Sequence, residues 1–257
     1  MKNYRLLITY DGTRYKGWEH QPGAETVQGK IEVCLGRMLG LSASPEDYFG
    51  ANPPIELIGS GRTDAGVHAK GMVASVKLPT EQSPDTIRDY LNHYLPDDIA
   101  IREVREASDR FHARYNTTGK TYEYTIFDGP VKPVFIRKYY TALDEPLDAD
   151  RMAEAAEYFV GEHDFKSFCT NPKMKKSTVR RIDNLAVRRN KGYVTITVSG
   201  SGFLQNMVRI IAGTLIEVGY GRIEPSDIPS IIEAKDRTAA GPTAPAKGLC
   251  LLAVNYD

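Results

Sequence analysis

The order of apolar patterns along the chain limits its fold more than any other feature of the sequence. The first half predicts, in order, a strand at residues 4–10, a helix at 26–39, strands at 55–58 and 71–77, a helix from about residue 83, and a strand at 99–104. An order of strand, helix, strand, strand, helix, strand is typical of an antiparallel sheet that is backed by helices. We therefore expect an α+β unit here.

The second half repeats this plan more loosely. It predicts strands at residues 122–127 and 137–142, a helix at 148–160, a hairpin at 182–187 and 193–198, helices at 203–218 and 228–234, and a closing strand at 249–254. A chain of 257 residues is long enough for two compact domains. The expected fold is thus α+β, with two helix-backed, mainly antiparallel sheet halves of the ferredoxin or RRM type. We expect residues 1–112 and 113–257 to form these halves and to meet around a central cleft.

A glycine-rich run at residues 59–69 lies between two predicted strands. It reads Gly-Ser-Gly-Arg-Thr-Asp-Ala-Gly-Val-His-Ala and places one carboxylate, Asp64, among three glycines, with Arg62 two residues earlier. Glycine admits backbone conformations that other residues avoid and lets a ligand approach the chain. Loops held by rigid strands often carry catalytic side chains. The alternative interpretation is a hairpin in which Asp64 only caps its own turn.

The run resembles the catalytic motif of the tRNA pseudouridine synthases of the TruA family, in which the aspartate at this position is the essential residue. Further segments similar to the family's motifs follow in order along nearly the whole chain: Tyr10-Asp11-Gly12-Thr13, Gly17-Trp18, Thr26-Val27-Gln28, Phe111-His112-Ala113-Arg114, Gly119-Lys120-Thr121-Tyr122-Glu123-Tyr124, His163-Asp164-Phe165, Gly202-Phe203-Leu204, Met207-Val208-Arg209, Gly213-Thr214-Leu215 and Ala244-Pro245. One departure is Glu19-His20, where many members carry Gln first. This difference alters RNA contacts rather than the chemistry.

The resemblance implies an isomerase that converts uridine to pseudouridine at positions 38, 39 and 40 of the tRNA anticodon stem-loop. The reaction breaks the bond from ribose C1′ to uracil N1, turns the base and joins C1′ to C5. It involves no redox change or transfer to a second molecule, so we expect no cofactor. Asp64 is then the catalytic residue. The sequence leaves open whether its carboxylate attacks the sugar or removes a ribose proton.

Arg209 is the candidate partner that keeps Asp64 ionised. It lies in the mostly apolar helix predicted at 203–218, and a guanidinium on a buried helix requires a partner. We expect Gln205 and Arg209 to share one face of that helix. The resemblance implies that the partner of Arg209 is Asp64. The alternatives are a structural carboxylate or a position at the surface.

Tyr122 and Arg62 complete the expected site. Alternation along the predicted strand puts Tyr122, Tyr124 and Ile126 on one face, which by itself favours core packing. The resemblance implies instead that Tyr122 stacks on the target uracil. Arg62 is expected to assist base extrusion by occupying the space that the flipped base vacates. It could instead anchor a phosphate.

The charge distribution supports a nucleic-acid partner more than the total charge does. The formal net charge is zero, but residues 171–191 carry eight Lys and Arg against Asp183 alone. Such a run is either a solvated face or a surface that follows phosphates. The resemblance implies a tRNA partner and a homodimer in which the tRNA contacts both subunits.

Composition argues against several other classes. Three cysteines far apart in the sequence favour neither a disulfide framework nor a zinc site. Asp64 and His68 are four residues apart, but nothing supplies further metal ligands at usual spacing, so we expect no metal. Without a leader pattern or an apolar run of about 20 residues, a cytoplasmic location is expected.

Two alternative functions remain open. One is a nucleoside or glycoside hydrolase, which usually needs two carboxylates. The other is a catalytically silent tRNA-binding protein.

Overall fold

The computed structural model describes residues 1–41, 55–171, 174 and 176–257. The chain divides into two compact units. Unit 1 comprises Met1–Thr118 and Leu251–Asp257, and unit 2 comprises Gly119–Cys250.

Unit 1 is an antiparallel sheet with two helices. Its elements are β1 (Lys2–Tyr10), α1 (Val27–Met38), β2 (Ile58–Gly59), β3 (His68–Leu78), α2 (Pro84–Tyr94) and β4 (Ile99–Ala107). β1 pairs antiparallel with β3 and β4, and β2 pairs antiparallel with β3. This βαββαβ order matches the ferredoxin-like plan expected from the sequence. The strand expected at 55–58 is wrong in extent, because only its last residue is in β2.

The last strand of the chain returns to unit 1. β10 (Leu249–Tyr256) lies beside β3, and most of it belongs to this unit. The Tyr256 hydroxyl donates to the Ala113 carbonyl at 2.7 Å, and the Arg5 guanidinium lies 4.9 Å from the centre of the Tyr256 ring. These contacts fix the end of β10 to the rest of unit 1.

Local sequence explains the elements of unit 1. Tyr4, Leu6 and Ile8 alternate along β1 and are fully buried. Burying side chains of this size contributes about 1.5–3 kcal/mol each to stability. The N-caps of the two helices are Thr26, whose hydroxyl accepts the Gly29 N–H, and Ser83, which accepts the Thr86 N–H. Such caps satisfy backbone donors that would otherwise lack a partner.

The strands of unit 2 are mainly antiparallel and are backed by helices. Its elements are β5 (Thr117–Phe127), β6 (Thr141–Ala142), α3 (Ala149–Glu157), β7 (Gly161–Asp164), β8 (Val179–Asn190), β9 (Tyr193–Gly200), α4 (Met207–Gly219) and α5 (Ile228–Ala234). β9 pairs antiparallel with β5 and β8, β7 pairs antiparallel with β8, and β6 pairs parallel with β5. α3 packs against β8 and α4. The α+β class is therefore confirmed.

Two elements of unit 2 differ from the expectation. The strand expected at 137–142 is limited to β6, because Pro133 precedes a short 3-10 turn at Val134–Ile136 rather than an extended segment. The helix expected at 203–218 begins only at Met207, because Asn206 has φ of +60° and so adopts the left-handed conformation, which is incompatible with a continuous right-handed helix.

Among the helices of the described residues, none combines the length and the apolar character that crossing a membrane requires.

Candidate active site

Asp64 lies in the loop that joins β2 to β3 in unit 1. The Ser60 N–H donates to the Val73 carbonyl at 2.8 Å, which continues the pairing of the two strands into the loop. The Val67 N–H donates to the Asp64 carbonyl at 3.1 Å and closes a turn in which Gly66 has φ of +80°. Glycine adopts this conformation without steric cost. The Asp64 side chain is half-buried at the start of this turn.

The residue before Asp64 is held at both its side chain and its backbone. Thr63 is only 7% exposed, and its hydroxyl is 2.8 Å from the Tyr10 hydroxyl. Its carbonyl accepts the Trp18 N–H at 3.1 Å. Tyr10 and Trp18 belong to a distant part of the sequence, so neighbouring residues alone do not reveal this support. It restricts how far the Asp64 backbone moves.

Two glycines allow the segment at residues 11–18 to lie directly against the loop. A Cβ at Gly12 would stand 1.9 Å from the Val67 carbonyl oxygen, and one at Gly17 would stand 2.7 Å from the Thr63 carbonyl oxygen. Gly17 also has φ of +109°. Any larger residue at either position would displace the backbone of the loop that carries Asp64.

His68, which follows the same loop, is buried and binds the backbone of the neighbouring segment. Its side chain is buried, and its Nδ1 accepts the Gly12 N–H at 3.1 Å and lies 3.2 Å from Asp11 Oδ1. Within the described residues, no group of three or more His, Cys, Asp or Glu side chains is arranged to hold a metal ion.

Arg62 points away from the buried side of the loop and is exposed. Its Nη2 lies 2.5 Å from Glu19 Oε1, and the two side chains are 63% and 38% exposed. The sequence marked Glu19 only as a departure from the family pattern. Its contact with Arg62 is evident only in the structure.

Tyr122 lies in unit 2, on β5 opposite Val198 of β9. Tyr122, Tyr124 and Ile126 are all buried, which confirms that they share one face of the strand. The Tyr122 and Phe203 rings meet edge-on, with centroids 5.3 Å apart and planes at 88°. Tyr122 is thus an aromatic side chain held in one orientation by a second aromatic ring.

Arg209 lies on α4 and is half-buried. Its Nε donates to the Ala244 carbonyl at 2.7 Å, and its Nη1 donates to Asn206 Oδ1 at 2.8 Å. These two neutral acceptors fix the plane of the guanidinium. Gln205 is exposed and precedes α4, so the expected shared helix face with Arg209 is wrong.

The segment that holds Arg209 also holds Tyr124. The Tyr124 hydroxyl donates to the Pro245 carbonyl at 2.9 Å and lies 2.6 Å from the Thr141 hydroxyl. Burial raises the pKa of Tyr124 to about 12, although Thr141 and the charge of Arg209 act in the opposite direction. Tyr124 is therefore a neutral donor at physiological pH. Ala244 and Pro245 place it and Arg209 in one neighbourhood of unit 2.

Part of the basic run expected to follow phosphates has a structural role. Arg189 forms a two-point ion pair with Asp128, with N–O distances of 2.9 and 2.7 Å, and Arg181 pairs with Asp183 at 2.8 Å. Arg188 is exposed on the same strand. Two further cations of the run, Lys173 and Lys175, lie outside the described residues.

Comparison with known proteins identifies the family of the chain. A family model described as tRNA pseudouridine synthase matches residues 6–116 and 155–257. Proteins named tRNA pseudouridine synthase A from Bacillus sp. (strain KSM-64), Brevibacillus brevis and Caldicellulosiruptor bescii are 46%, 45% and 43% identical to this chain, each over the full length of both sequences. A chain of a solved Cbf5-Nop10-Gar1 complex aligns with a TM-score of 0.31 and 12% identity, over 82% of this chain and 54% of that chain, and this likeness supports no conclusion. The full-length matches show that the chain belongs to the TruA family of tRNA pseudouridine synthases.

Proposed function

We propose that this chain converts uridine to pseudouridine at positions 38, 39 and 40 of the tRNA anticodon stem-loop, with Asp64 as its catalytic residue. The membership in the family supports the isomerase activity on tRNA. The observation that carries the assignment of Asp64 is the loop itself, in which Thr63 is held by Tyr10 and Trp18 while the next side chain stays accessible. A carboxylate in a fixed position is what either route of the reaction requires.

The chemistry is an exchange of two bonds at one ribose carbon. The bond from C1′ to N1 breaks, the uracil turns, and a bond from C1′ to C5 forms. The proton on C5 is lost, and N1 gains a proton. Asp64 starts this sequence either by attacking C1′ or by removing a ribose proton, and in both cases its carboxylate must be ionised.

Three further residues have proposed roles. Arg209 keeps Asp64 ionised, and the hydrogen bonds to Ala244 and Asn206 support this role because they orient the guanidinium. Tyr122 stacks on the extruded uracil, which offsets part of the few kcal/mol that unstacking costs, since base–aromatic stacking contributes about 1–3 kcal/mol. Arg62 assists extrusion of the base.

A single assay tests the activity and the role of Asp64. Unmodified tRNA transcript, labelled with tritium at uridine C5, is incubated with the parent protein and with Asp64→Asn. We expect the parent to release tritium to water and the variant to bind tRNA without release. Free uracil among the products would indicate a hydrolase. Binding without release by the parent would indicate a silent tRNA-binding protein.

The proposal includes a homodimer that acts in the cytoplasm. Two copies would double the basic surface available to one tRNA, which helps a chain without net charge to bind a polyanion. Sedimentation equilibrium of the free protein tests this part, and a monomer at micromolar concentration that still isomerises tRNA would contradict it.

A further inference from the structure

The carboxylate of Glu19 is directed at Arg62 by a segment with little freedom. The backbone on either side of Glu19 is fixed, because the Trp18 N–H donates to the Thr63 carbonyl at 3.1 Å and the His20 N–H donates to Gln28 Oε1 at 3.1 Å. The Trp18 carbonyl accepts the Gln28 N–H at 3.0 Å. Glu19 therefore extends from a short segment that is fastened both to the catalytic loop and to α1.

A buried polar group strengthens this attachment. Glu32 of α1 has no exposed surface, and its carboxylate accepts hydrogen bonds from Gln28 Nε2 at 2.8 Å and from the Leu57 N–H at 3.1 Å. Its second oxygen lies 3.0 Å from His20 Nδ1. Hydrogen bonds to a buried charged group are among the stronger ones in proteins. The position of Glu19 is thus fixed by the interior of unit 1 although its carboxylate is at the surface.

The ion pair itself is weak enough to exchange. Both side chains are more than one-third exposed, and pairs of this kind contribute about 0–1 kcal/mol. A phosphate of bound RNA offers Arg62 an equivalent anionic partner. The Glu19 carboxylate repels that same phosphate, so it opposes RNA binding for as long as it stands beside Arg62.

We propose that Glu19 is a positioning residue that holds Arg62 beside the catalytic loop in the free protein and competes with tRNA phosphate for its guanidinium. This inference rests on the proposed function, in which Arg62 contacts RNA. Glu19 thereby lowers the affinity for tRNA and makes the release of Arg62 part of binding.

Binding of unmodified tRNA transcript, measured as Kd at several salt concentrations in an Asp64→Asn background, tests the proposal. Glu19→Gln removes the charge and keeps the size of the side chain. We expect its Kd to fall by about twofold to fivefold, the range that a surface ion pair allows. We also expect the slope of log K against log salt to become steeper, by less than the roughly 0.9 of a full phosphate contact, because binding no longer frees a carboxylate that takes up a cation.

A matched control separates this effect from a general loss of negative charge. Glu103 and Arg105 on β4 also pair at 2.5 Å, with side chains 39% and 67% exposed, so Glu103→Gln is the equivalent change elsewhere on unit 1. We expect Glu103→Gln to leave Kd and its salt dependence unchanged. In an Arg62→Gln background, Glu19→Gln should change Kd by less than about 1.5-fold, since the competition that it relieves is already absent.

Three outcomes overturn the proposal. The first is a Kd of Glu19→Gln that equals or exceeds that of the parent. The second is an equal decrease in Kd when Glu19→Gln is made in the Arg62→Gln background. The third is an equal decrease in Kd for Glu103→Gln. The readout is binding, so it is independent of turnover. If Glu19 and Arg62 are coupled in Kd while the parent protein releases no tritium, the inference stands and the proposed activity fails.

Discussion

At the scale of single residues, the position of Asp64 depends on groups far from it in the sequence. Thr63 has one hydroxyl partner, Tyr10, and one backbone partner, Trp18, and both belong to the first strand and the segment after it. The segment at residues 11–18 therefore supports the catalytic loop from one side. Two changes test how much the reaction depends on that support.

Tyr10→Phe removes the hydroxyl partner of Thr63 and keeps the aromatic ring. We expect a loss of about 0.5–1.5 kcal/mol in the free energy of unfolding, measured by urea denaturation, as for a typical hydrogen bond. We also expect the decrease in kcat for tritium release to exceed any change in KM, because the loop carries Asp64, the proposed catalytic residue. Parental kcat in a stable Tyr10→Phe protein would show that the hydroxyl does not position Asp64.

Gly17→Ala and Gly23→Ala form a matched pair. Both glycines have positive φ, at +109° and +71°, but a Cβ would meet the Thr63 carbonyl at Gly17 and nothing within 4 Å at Gly23. The left-handed conformation costs alanine about 1–2 kcal/mol at Gly23, and φ of +109° at Gly17 lies further from the conformations open to alanine. We expect Gly17→Ala to be less stable than Gly23→Ala and to lose most of its turnover, while Gly23→Ala retains it. Equal turnover of the two variants would contradict a supporting role for this contact.

At the scale of elements, α4 shows how a single residue sets both a helix boundary and the orientation of Arg209, a residue of the candidate site. Asn206 starts the helix in the left-handed conformation, its Oδ1 accepts a hydrogen bond from Arg209, and its Nδ2 donates to the Thr170 hydroxyl at 2.8 Å. Asparagine suits this position because it tolerates positive φ better than most residues and still offers a polar side chain.

Replacement of Asn206 separates these two functions. Asn206→Gly accepts the positive φ but removes the acceptor for Arg209, whereas Asn206→Asp keeps an acceptor. We expect Asn206→Gly to stay within about 1 kcal/mol of the parental stability, because backbone strain is relieved while hydrogen bonds are lost. Its kcat for tritium release should nevertheless fall, and Asn206→Asp should retain more of it. The reverse order of kcat would show that the hydrogen bond does not orient Arg209.

The sequence predicts elements well where periodicity and caps agree. β1 alternates throughout and α2 begins with Ser83 and Pro84, so both were predicted correctly. The start of α4 was wrong because Phe203 and Leu204 continue the apolar pattern of the helix, while a backbone angle at Asn206 interrupts it. In the candidate site, the motif locates Asp64 and Arg62. The contacts of Thr63 and Arg62 with the segment at 10–19 arise from folding and cannot be read from residue spacing.

At the scale of the whole molecule, each unit has its own core and its own polar network. In unit 2 the Asp128 side chain is 1% exposed, and it accepts the Leu147 N–H at 2.8 Å besides its pair with Arg189. Burial alone would raise the pKa of Asp128, but the hydrogen bonds from Arg189 and Leu147 hold it below its usual value. The pair therefore stabilises unit 2 above the pKa of Asp128 in the unfolded chain. This stability is lost as pH falls through the lower folded pKa.

Arg189→Met and Arg188→Met remove the same charge from neighbouring positions. We expect Arg189→Met to lose about 2–4 kcal/mol of unfolding free energy at pH 7, because it leaves Asp128 buried without its cation. The expected loss is below that of a fully buried pair, because Arg189 is itself partly exposed. The loss should shrink as Asp128 becomes protonated in acid. Arg188→Met should unfold like the parent, and urea titrations from pH 7 to pH 3 compare the two. Equal stability of the variants at pH 7 would contradict this role of Asp128.

The division of unit 1 between the two ends of the described chain has a consequence for synthesis on the ribosome. Asp64 and its loop are made early, but β10, with the Tyr256 contacts to Arg5 and Ala113, is added only after about 130 residues of unit 2. At about 5–20 residues per second, unit 1 waits roughly 7–25 s for its last strand. Unit 2 is continuous in sequence and can fold during that interval. Unit 1, which carries Asp64, therefore cannot be complete until the end of β10 has been made, although most of its residues are synthesised first.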